Sequence, residues 1–517
     1  MEAAAMNGAE SIVRTLVGAG VDTCFANPGT SEMHFVAALD RVPGMRPILG
    51  LFEGAVSGMA DGYGRMADKP AVTLLHLGTG LGNAIANLHN ARRAQTPIVN
   101  IVGEHATFHL QWDSPLVADI AGLARPVSKW VHTTPSSLTA AADTARAVAE
   151  ASAAPGGVAT LILPANAAWD AAAAPAPALP ATQRAAVSGA AVDRAVTMLR
   201  SGRKTVILTR GLTLREDGLE VLGRIAAATG AQVIGEGGRL QRGAGRVAVG
   251  QVSGMSSMIE ETYRDVAHLI LVGSQPPVGG FAYPDRSSWS LPAGLQIHYL
   301  AHPHEDGLAA LASVAEALGA KGPAAHRVEL ALPAAPTGAL DQHSIGAVVA
   351  RHLPDGAVIS EEAATNRMGP HKMLAAARPH DWMTITGGAI GQGIPVAAGA
   401  AVACPGRKVI NLQADGSGMY TLQALWTQAR ERLDVVTVIF ANRSYAVLKG
   451  ELNKVGAKNP GPTALSMLDL GNPDLSWVDM ARGMGVEASR AETVAQFEAQ
   501  FVSALAGSGP RLIEAMI

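Results

Sequence analysis

The sequence predicts an α/β protein of three doubly wound domains, each a parallel sheet covered by helices. Three observations carry this expectation. Short β-branched runs alternate with helical periodicity along the whole chain, the pattern of strands joined by crossover helices. Hydrophobic residues make up 48% of the chain and aromatics only 4%, so the core must come from Ala, Val, Leu and Ile, as in helices packed on buried strands. Two aperiodic Pro/Ala-rich stretches, at 171–186 and 321–338, interrupt the pattern and read as linkers. They set expected domains at 1–172, 187–322 and 338–517, and three domains also suit a chain of 517 residues.

The expected strands follow in order. In the first domain they lie at 23–26, 46–51, 71–76 and 97–103; in the middle domain at 204–209, 232–235 and 268–273; in the last at 357–360, 408–413 and 435–441. A helix is expected over 420–432, between the last two strands. No short-period repeat or coiled-coil heptad is present.

Bulk properties narrow the function. The net charge of −3 offers no electrostatic case for nucleic acid or an anionic membrane. Two cysteines, Cys24 and Cys404, cannot form a disulfide framework and fit a reducing compartment. The N-terminus lacks a basic region followed by an apolar core, so no signal peptide is expected. The longest uncharged run, 387–406, is Gly-rich and carries Gln392 and Pro395; it reads as a buried loop and helix, not a membrane span. A cytoplasmic enzyme acting on small molecules is the expectation.

The most informative motif is Ala414-Asp415-Gly416-Ser417-Gly418, followed 27 positions after Asp415 by Asn442, in Ala441-Asn442-Arg443-Ser444-Tyr445. Each follows an apolar strand. Adjacent parallel strands would bring a carboxylate and an amide oxygen together at their C-terminal ends. Hard oxygen ligands with positions left for phosphate oxygens suit Mg²⁺. Gly416 and Gly418 let backbone N–H groups approach a diphosphate. In the first domain, Glu53 ends an apolar run and opens a helix. Burial there would disfavour its charge, so that it could share a proton with a ring nitrogen.

With these motifs stand Asn27-Pro-Gly-Thr-Ser-Glu32, Glu53 through Arg65, His76-Leu-Gly-Thr-Gly-Leu-Gly-Asn-Ala84, Ala124 through Trp130, Gly387-Gly-Ala-Ile-Gly391 and Pro395 with Ala397 and Ala398. In this order and spacing the chain resembles the thiamine diphosphate (ThDP)-dependent decarboxylases and carboligases, the group of benzoylformate decarboxylase and acetolactate synthase. The resemblance implies a pyrimidine-binding, a middle and a diphosphate-binding domain. It also implies a homodimer or homotetramer with ThDP and Mg²⁺ held between the first domain of one subunit and the third of another. The implied reaction is loss of CO₂ from a 2-oxo acid, followed by protonation to an aldehyde or ligation to a second carbonyl.

Carried over residue by residue, Glu53 activates the aminopyrimidine, while Asp415 and Asn442 bind Mg²⁺ by side chains and Ser444 by its carbonyl. Ile390 props the cofactor in a bent shape; Gly388, Gly416, Ser417, Asn442 and Tyr445 contact it. His76 and Thr30 match an active-site His and Ser of benzoylformate decarboxylase. The chain departs from the pattern at Ala414, where Gly is usual. It has no counterpart of that enzyme's second His, the stretch being Gly279-Gly-Phe-Ala-Tyr-Pro284. Leu116-Val117-Ala118 replaces the Phe-Gln-Glu that precedes the Asp matched by Asp119 in acetolactate synthases. No FAD motif is evident, so FAD is not expected. His34, His105, His109, Asp113, Lys449 and Glu451 are secondary candidates for the substrate pocket.

Three rival readings remain at this stage. One is an NAD-binding oxidoreductase through Gly78, Gly80 and Gly82 with Glu104, although the glycines run GxGxG. A second is a zinc site through His302-Pro303-His304-Glu305, with His304 or Asp306 alternatively capping the following helix. The third is a catalytically weak regulatory subunit that keeps the fold.

Overall fold

The computed structural model describes residues 6–284 and 286–517. The first five residues of the N-terminus read above lie outside it. The described chain folds around three sheets.

The first sheet holds β1 (Thr23–Asn27), β2 (Arg46–Leu49), β3 (Ala71–Leu75), β4 (Ile98–Glu104), β5 (Trp130–Thr133) and β6 (Val158–Pro164). Its order is β2-β1-β3-β4-β6-β5 and every pairing is parallel. The middle region supplies β7 (Thr205–Arg210), β8 (Gln232–Glu236), β9 (Arg239–Arg242), β10 (Gly250–Gln251), β11 (His268–Val272) and β12 (Gln296–Ala301). Five of these form a parallel sheet, ordered β10-β8-β7-β11-β12.

The third sheet holds β13 (Ala357–Glu362), β14 (His380–Thr384), β15 (Val409–Ala414), β16 (Val435–Ala441), β17 (Glu487–Ala491) and β18 (Arg511–Met516). Their order is β17-β18-β16-β15-β13-β14, and β9 adds antiparallel at the β14 edge. The middle segment therefore lends a strand to its neighbour. That pairing depends on charge: Asp381 of β14, 1% exposed, accepts hydrogen bonds from Arg239 of β9 at 2.6 Å and from Arg407.

Three α/β units were expected and are present. Strands β5, β6, β9, β10, β12, β14, β17 and β18 were missed. β14 reads His-Asp-Trp-Met-Thr, and its polar residues are buried only because arginines from other segments meet them. The expected helix over 420–432 is shorter, Ala424–Arg430, after a single turn at Asp415–Gly418.

The first and third units are joined through two helices, Glu53–Ala67 and Gly393–Ala403. Val56, Met59 and Ala60 of one share a core with Val396, Ala397 and Ala400 of the other. The backbones nearly touch: a Cβ on Gly62 would lie 2.1 Å from the Val396 carbonyl oxygen, and one on Gly399 would lie 1.9 Å from that of Met59. Glycine is required at both positions because any side chain would force the helices apart. Among the described residues, no helix is long and apolar enough to cross a membrane.

Candidate active site

β15 and β16 are neighbours in parallel register, Ala414 opposite Phe440, so Asp415 and Asn442 leave the same end of the sheet. The Asp415 carboxylate is 3% exposed. It accepts from Gly416 N at 2.8 Å and from Arg443 N at 2.6 Å. Arg443 sits in the left-handed region, φ 53°, which aims its N–H at Asp415. Burial pushes the Asp415 pKa up, against the pull of the backbone donors. Asn442 Oδ1 accepts from Ser444 N at 3.0 Å, and Ser444 Oγ donates to the Leu468 carbonyl at 3.2 Å.

Gly416 faces the Tyr445 ring, and a Cβ there would lie 2.5 Å from it. Ser417 turns its hydroxyl inward, accepting from Gln413 Nε2 at 2.6 Å, so what it can offer an anion is its backbone. The donor set consists of hard oxygens. A carboxylate, an amide and a carbonyl suit Mg²⁺ better than zinc; among the described residues no group of three His, Cys, Asp or Glu side chains is placed to hold a metal.

The loop between β14 and helix Gly393–Ala403 carries Gly388 and Ile390. Gly388 has φ 77° and Gly391 φ 99°, turns that favour glycine. Ile390 is 40% exposed. Beneath the loop, Glu362 at the end of β13 accepts from Gly391 N at 2.8 Å, Gln392 N at 3.2 Å, Gly393 N at 2.7 Å and Gln413 Nε2 at 3.0 Å. Burial raises the Glu362 pKa, and these donors oppose the rise. The sequence reading missed Glu362; its place at a strand end, like Asp415, was the available signal.

Glu53 is the first residue of its helix and is half-buried. Its Oε2 accepts from Asn83 Nδ2 at 2.9 Å, and Gly80 leaves the space its other oxygen occupies, since a Cβ there would lie 3.1 Å from Oε1. The apolar enclosure expected around Glu53 is incomplete in one chain, with Leu51 exposed. Among the described residues no hydrogen bond or ion pair joins Glu53 to Asp415, Asn442 or Ser444. Of the glycines of the NAD reading, Gly80 makes room for Glu53, Gly78 for Ala118, and Gly82 faces open space; Glu104 is buried with its carboxylate on His105 N at 2.7 Å.

His76 caps the helix Leu77–Ala94. Its Nδ1 lies 2.8 Å from Glu32 Oε2, and Glu32 also accepts from Gly29 N at 2.7 Å and Ser31 Oγ at 3.0 Å. With Nδ1 held by a buried carboxylate, Nε2 is the nitrogen left to exchange a proton. Two glycines make this pair possible: a Cβ on Gly29 would meet the His76 ring at 2.3 Å, and one on Gly103 would meet Glu32 Oε1 at 1.6 Å. Leu77, next to His76, has φ 54°, a strained conformation for a non-glycine residue. Glu32 was quoted in a motif but given no role. Thr30 is exposed; Ser31, its neighbour, is the hydroxyl near His76, at 3.4 Å.

The secondary candidates scatter. The His105 and His109 rings lie 5.6 Å apart, tilted by 51°, and His34 packs on Trp169 at 5.8 Å. Asp113 and Lys449 are exposed. Glu451 accepts from Tyr283 Oη at 2.8 Å and Lys454 Nζ at 2.7 Å, which brings the 279–284 stretch onto the helix after the metal loop. Asp306 caps helix Gly307–Leu318 through Ala309 N at 2.9 Å, and His302 stacks on Tyr299 at 4.8 Å and on His304 at 6.0 Å. A separate cavity of about 320 Å³ lies between the first and middle units, lined by Arg65, Arg210, Arg215 and Arg239 among others; Glu305 of the zinc reading borders it, and none of the residues expected at the ThDP site does.

Three α/β units with this motif set define a thiamine diphosphate-type enzyme. Family models for the thiamine pyrophosphate enzyme N-terminal and C-terminal TPP binding domains match residues 6–120 and 364–515, and the chain belongs to that family. It is 47% identical to the Mycobacterium tuberculosis protein IlvX, provisionally named an acetolactate synthase large subunit, over 99% of both chains. It is 30% identical to benzoylformate decarboxylase of Pseudomonas aeruginosa over 96% of both. The fold matches the ThDP-dependent 4-hydroxybenzoylformate decarboxylase of Rhodococcus jostii RHA1, with a TM-score of 0.85 at 24% identity over 98% of each chain.

Proposed function

We propose that this chain is a ThDP- and Mg²⁺-dependent enzyme that makes or breaks a C–C bond beside a carbonyl, decarboxylating a 2-oxo acid and passing the acyl unit to a proton or to a second carbonyl. The observation that carries the reading is the buried Asp415 carboxylate beside Asn442 and Ser444. Its charged form is penalised by burial, and a divalent cation with diphosphate oxygens would relieve that penalty. ThDP, when bound, supplies the electron sink for the acyl carbon as CO₂ leaves. Glu53 holds a proton at the pyrimidine, Ile390 wedges the cofactor, and Gly388, Gly416, Ser417 and Tyr445 line its bed. His76, oriented by Glu32, moves a proton at the substrate, with the Ser31 hydroxyl beside it and Thr30 exposed next to that.

Half-exposed Glu53 and the exposed apolar side chains Leu51, Ile390, Tyr420, Val447 and Leu448 favour a homodimer or homotetramer whose subunits complete one another's sites. The free cysteines Cys24 and Cys404 support a reducing, cytoplasmic setting.

The His76–Glu32 pair favours decarboxylation to an aldehyde. The 47% identity to an acetolactate synthase-like protein favours carboligation as the second reading. Incubation with ThDP, Mg²⁺ and a panel of 2-oxo acids, measuring CO₂, aldehyde and acyloin together, separates them. Failure to take up ThDP and Mg²⁺ overturns both.

A further inference from the structure

Ile390 poses a physical problem. It is a large apolar side chain 40% exposed on a loop with two left-handed glycines, so hydrophobic burial cannot hold it in place. The hydrogen bonds to its neighbours show what does. Asn90, fully buried on helix Leu77–Ala94, accepts through Oδ1 from Gly387 N at 3.1 Å and Ala389 N at 3.2 Å. Its Nδ2 donates to the Ala389 carbonyl at 2.8 Å and to Asn87 Oδ1 at 3.1 Å. Asn87, 2% exposed, shares its Nδ2 between the Gly391 carbonyl at 3.3 Å and the Gly54 carbonyl at 2.8 Å. Arg65 secures the start of the loop, donating to the Thr384 carbonyl at 2.9 Å and Thr386 Oγ1 at 3.1 Å.

We propose that Asn87 and Asn90 are positioning residues for Ile390: they clamp the residues on either side of it, Ala389 and Gly391, and through Gly54 they tie that clamp to the first turn of the Glu53 helix. With Asn83, which holds Glu53 itself, they lie at i, i+4 and i+7 on one helix face. This polar stripe, exposed at Asn83 and buried at Asn87 and Asn90, thus links Ile390 of one cofactor bed to Glu53, which serves the bed completed by another subunit. A preorganised contact needs such backing, because small displacements of a wedge cost binding. The Asn87 and Asn90 amides are buried, so leaving their partners unpaired is expensive.

This inference rests on the proposed role of Ile390 as a cofactor contact. Its test is a double-mutant cycle read by calorimetric titration of ThDP in the presence of Mg²⁺, using the full-length protein. Ile390→Ala and Asn90→Ala are each expected to weaken ThDP binding roughly tenfold. The double variant should be no weaker than the worse single within about twofold, because Asn90 acts through Ile390. Thermal melting monitors folding, and Asn87→Ala replaces Asn90→Ala in the cycle if the latter does not fold. Multiplying effects, or an asparagine variant that binds ThDP like the parent, overturn the inference and leave the proposed function standing. An Ile390→Ala protein with parental affinity does the same. A parent that takes up no ThDP overturns the proposed function itself.

Discussion

Two carboxylates open helices at the mouths of two sheets, and they are treated differently. Glu53 starts a 15-residue helix, remains half-exposed and has one side-chain donor, Asn83. Asp415 starts a helix of 4 residues, is 3% exposed and is held by two backbone N–H groups. A side-chain amide leaves a carboxylate free to gain or share a proton. Backbone donors fix its position and leave a charge that asks for a cation. In the proposed function the same local motif, strand then acid then helix, handles protons in one unit and binds metal in the other.

The largest test of this contrast is Glu53→Gln. Turnover should fall at least about a hundredfold with circular dichroism unchanged; full activity would remove Glu53 from proton handling. Asp415→Ala should instead act on binding, weakening ThDP–Mg²⁺ affinity roughly tenfold to a hundredfold in a calorimetric titration.

The contrast also has a pH dependence. Because burial raises the Asp415 pKa in the metal-free fold, its charged form costs stability at neutral pH, and that cost fades as pH falls through the raised value. Mg²⁺ needs the charged form, so the rise in Tm on adding Mg²⁺ should be largest near neutrality and shrink as pH falls. A Mg²⁺ effect that grew in acid would contradict the assignment. On the first-unit side, Glu32→Gln should lower kcat on the order of tenfold by loosening His76, checked by steady-state kinetics on whichever 2-oxo acid is turned over.

The smallest test lies deeper in the two sheets. Each carries a polar row across its middle strands. In the first, Thr73 Oγ1 donates to Asn100 Oδ1 at 2.7 Å, and Asn100 Nδ2 donates to Thr160 Oγ1 at 2.9 Å. In the third, Asn411 and Thr437 are register partners whose buried side-chain polar atoms lack partners among the described residues. Thr73→Val should therefore cost about 1–2 kcal/mol, and Thr437→Val less than about 0.5 kcal/mol, by denaturant unfolding. Equal costs would show that the two rows are equivalent.

The alternation of apolar runs and helical periods made the α/β class legible, and motif spacing led to Asp415, Asn442 and Glu53. These signals are local: a buried strand must be apolar, and a ligand at a strand end must follow it. Glu32, Glu362, Asn87 and Asn90 were not assigned as site residues, because their partners lie 29 to 304 positions away in many of the bonds that define them. Strand β14 escaped for the same reason, its acid neutral in effect only beside Arg239 and Arg407.

By itself, the sequence determined which residue types stand at the ends of strands, and hence the kind of chemistry the chain supports. Only the tertiary structure decided which polar side chains are buried and what satisfies them. Burial turns a polar residue into either a liability or a fixed strut, and whether it has a partner depends on segments distant in sequence that folding alone brings together.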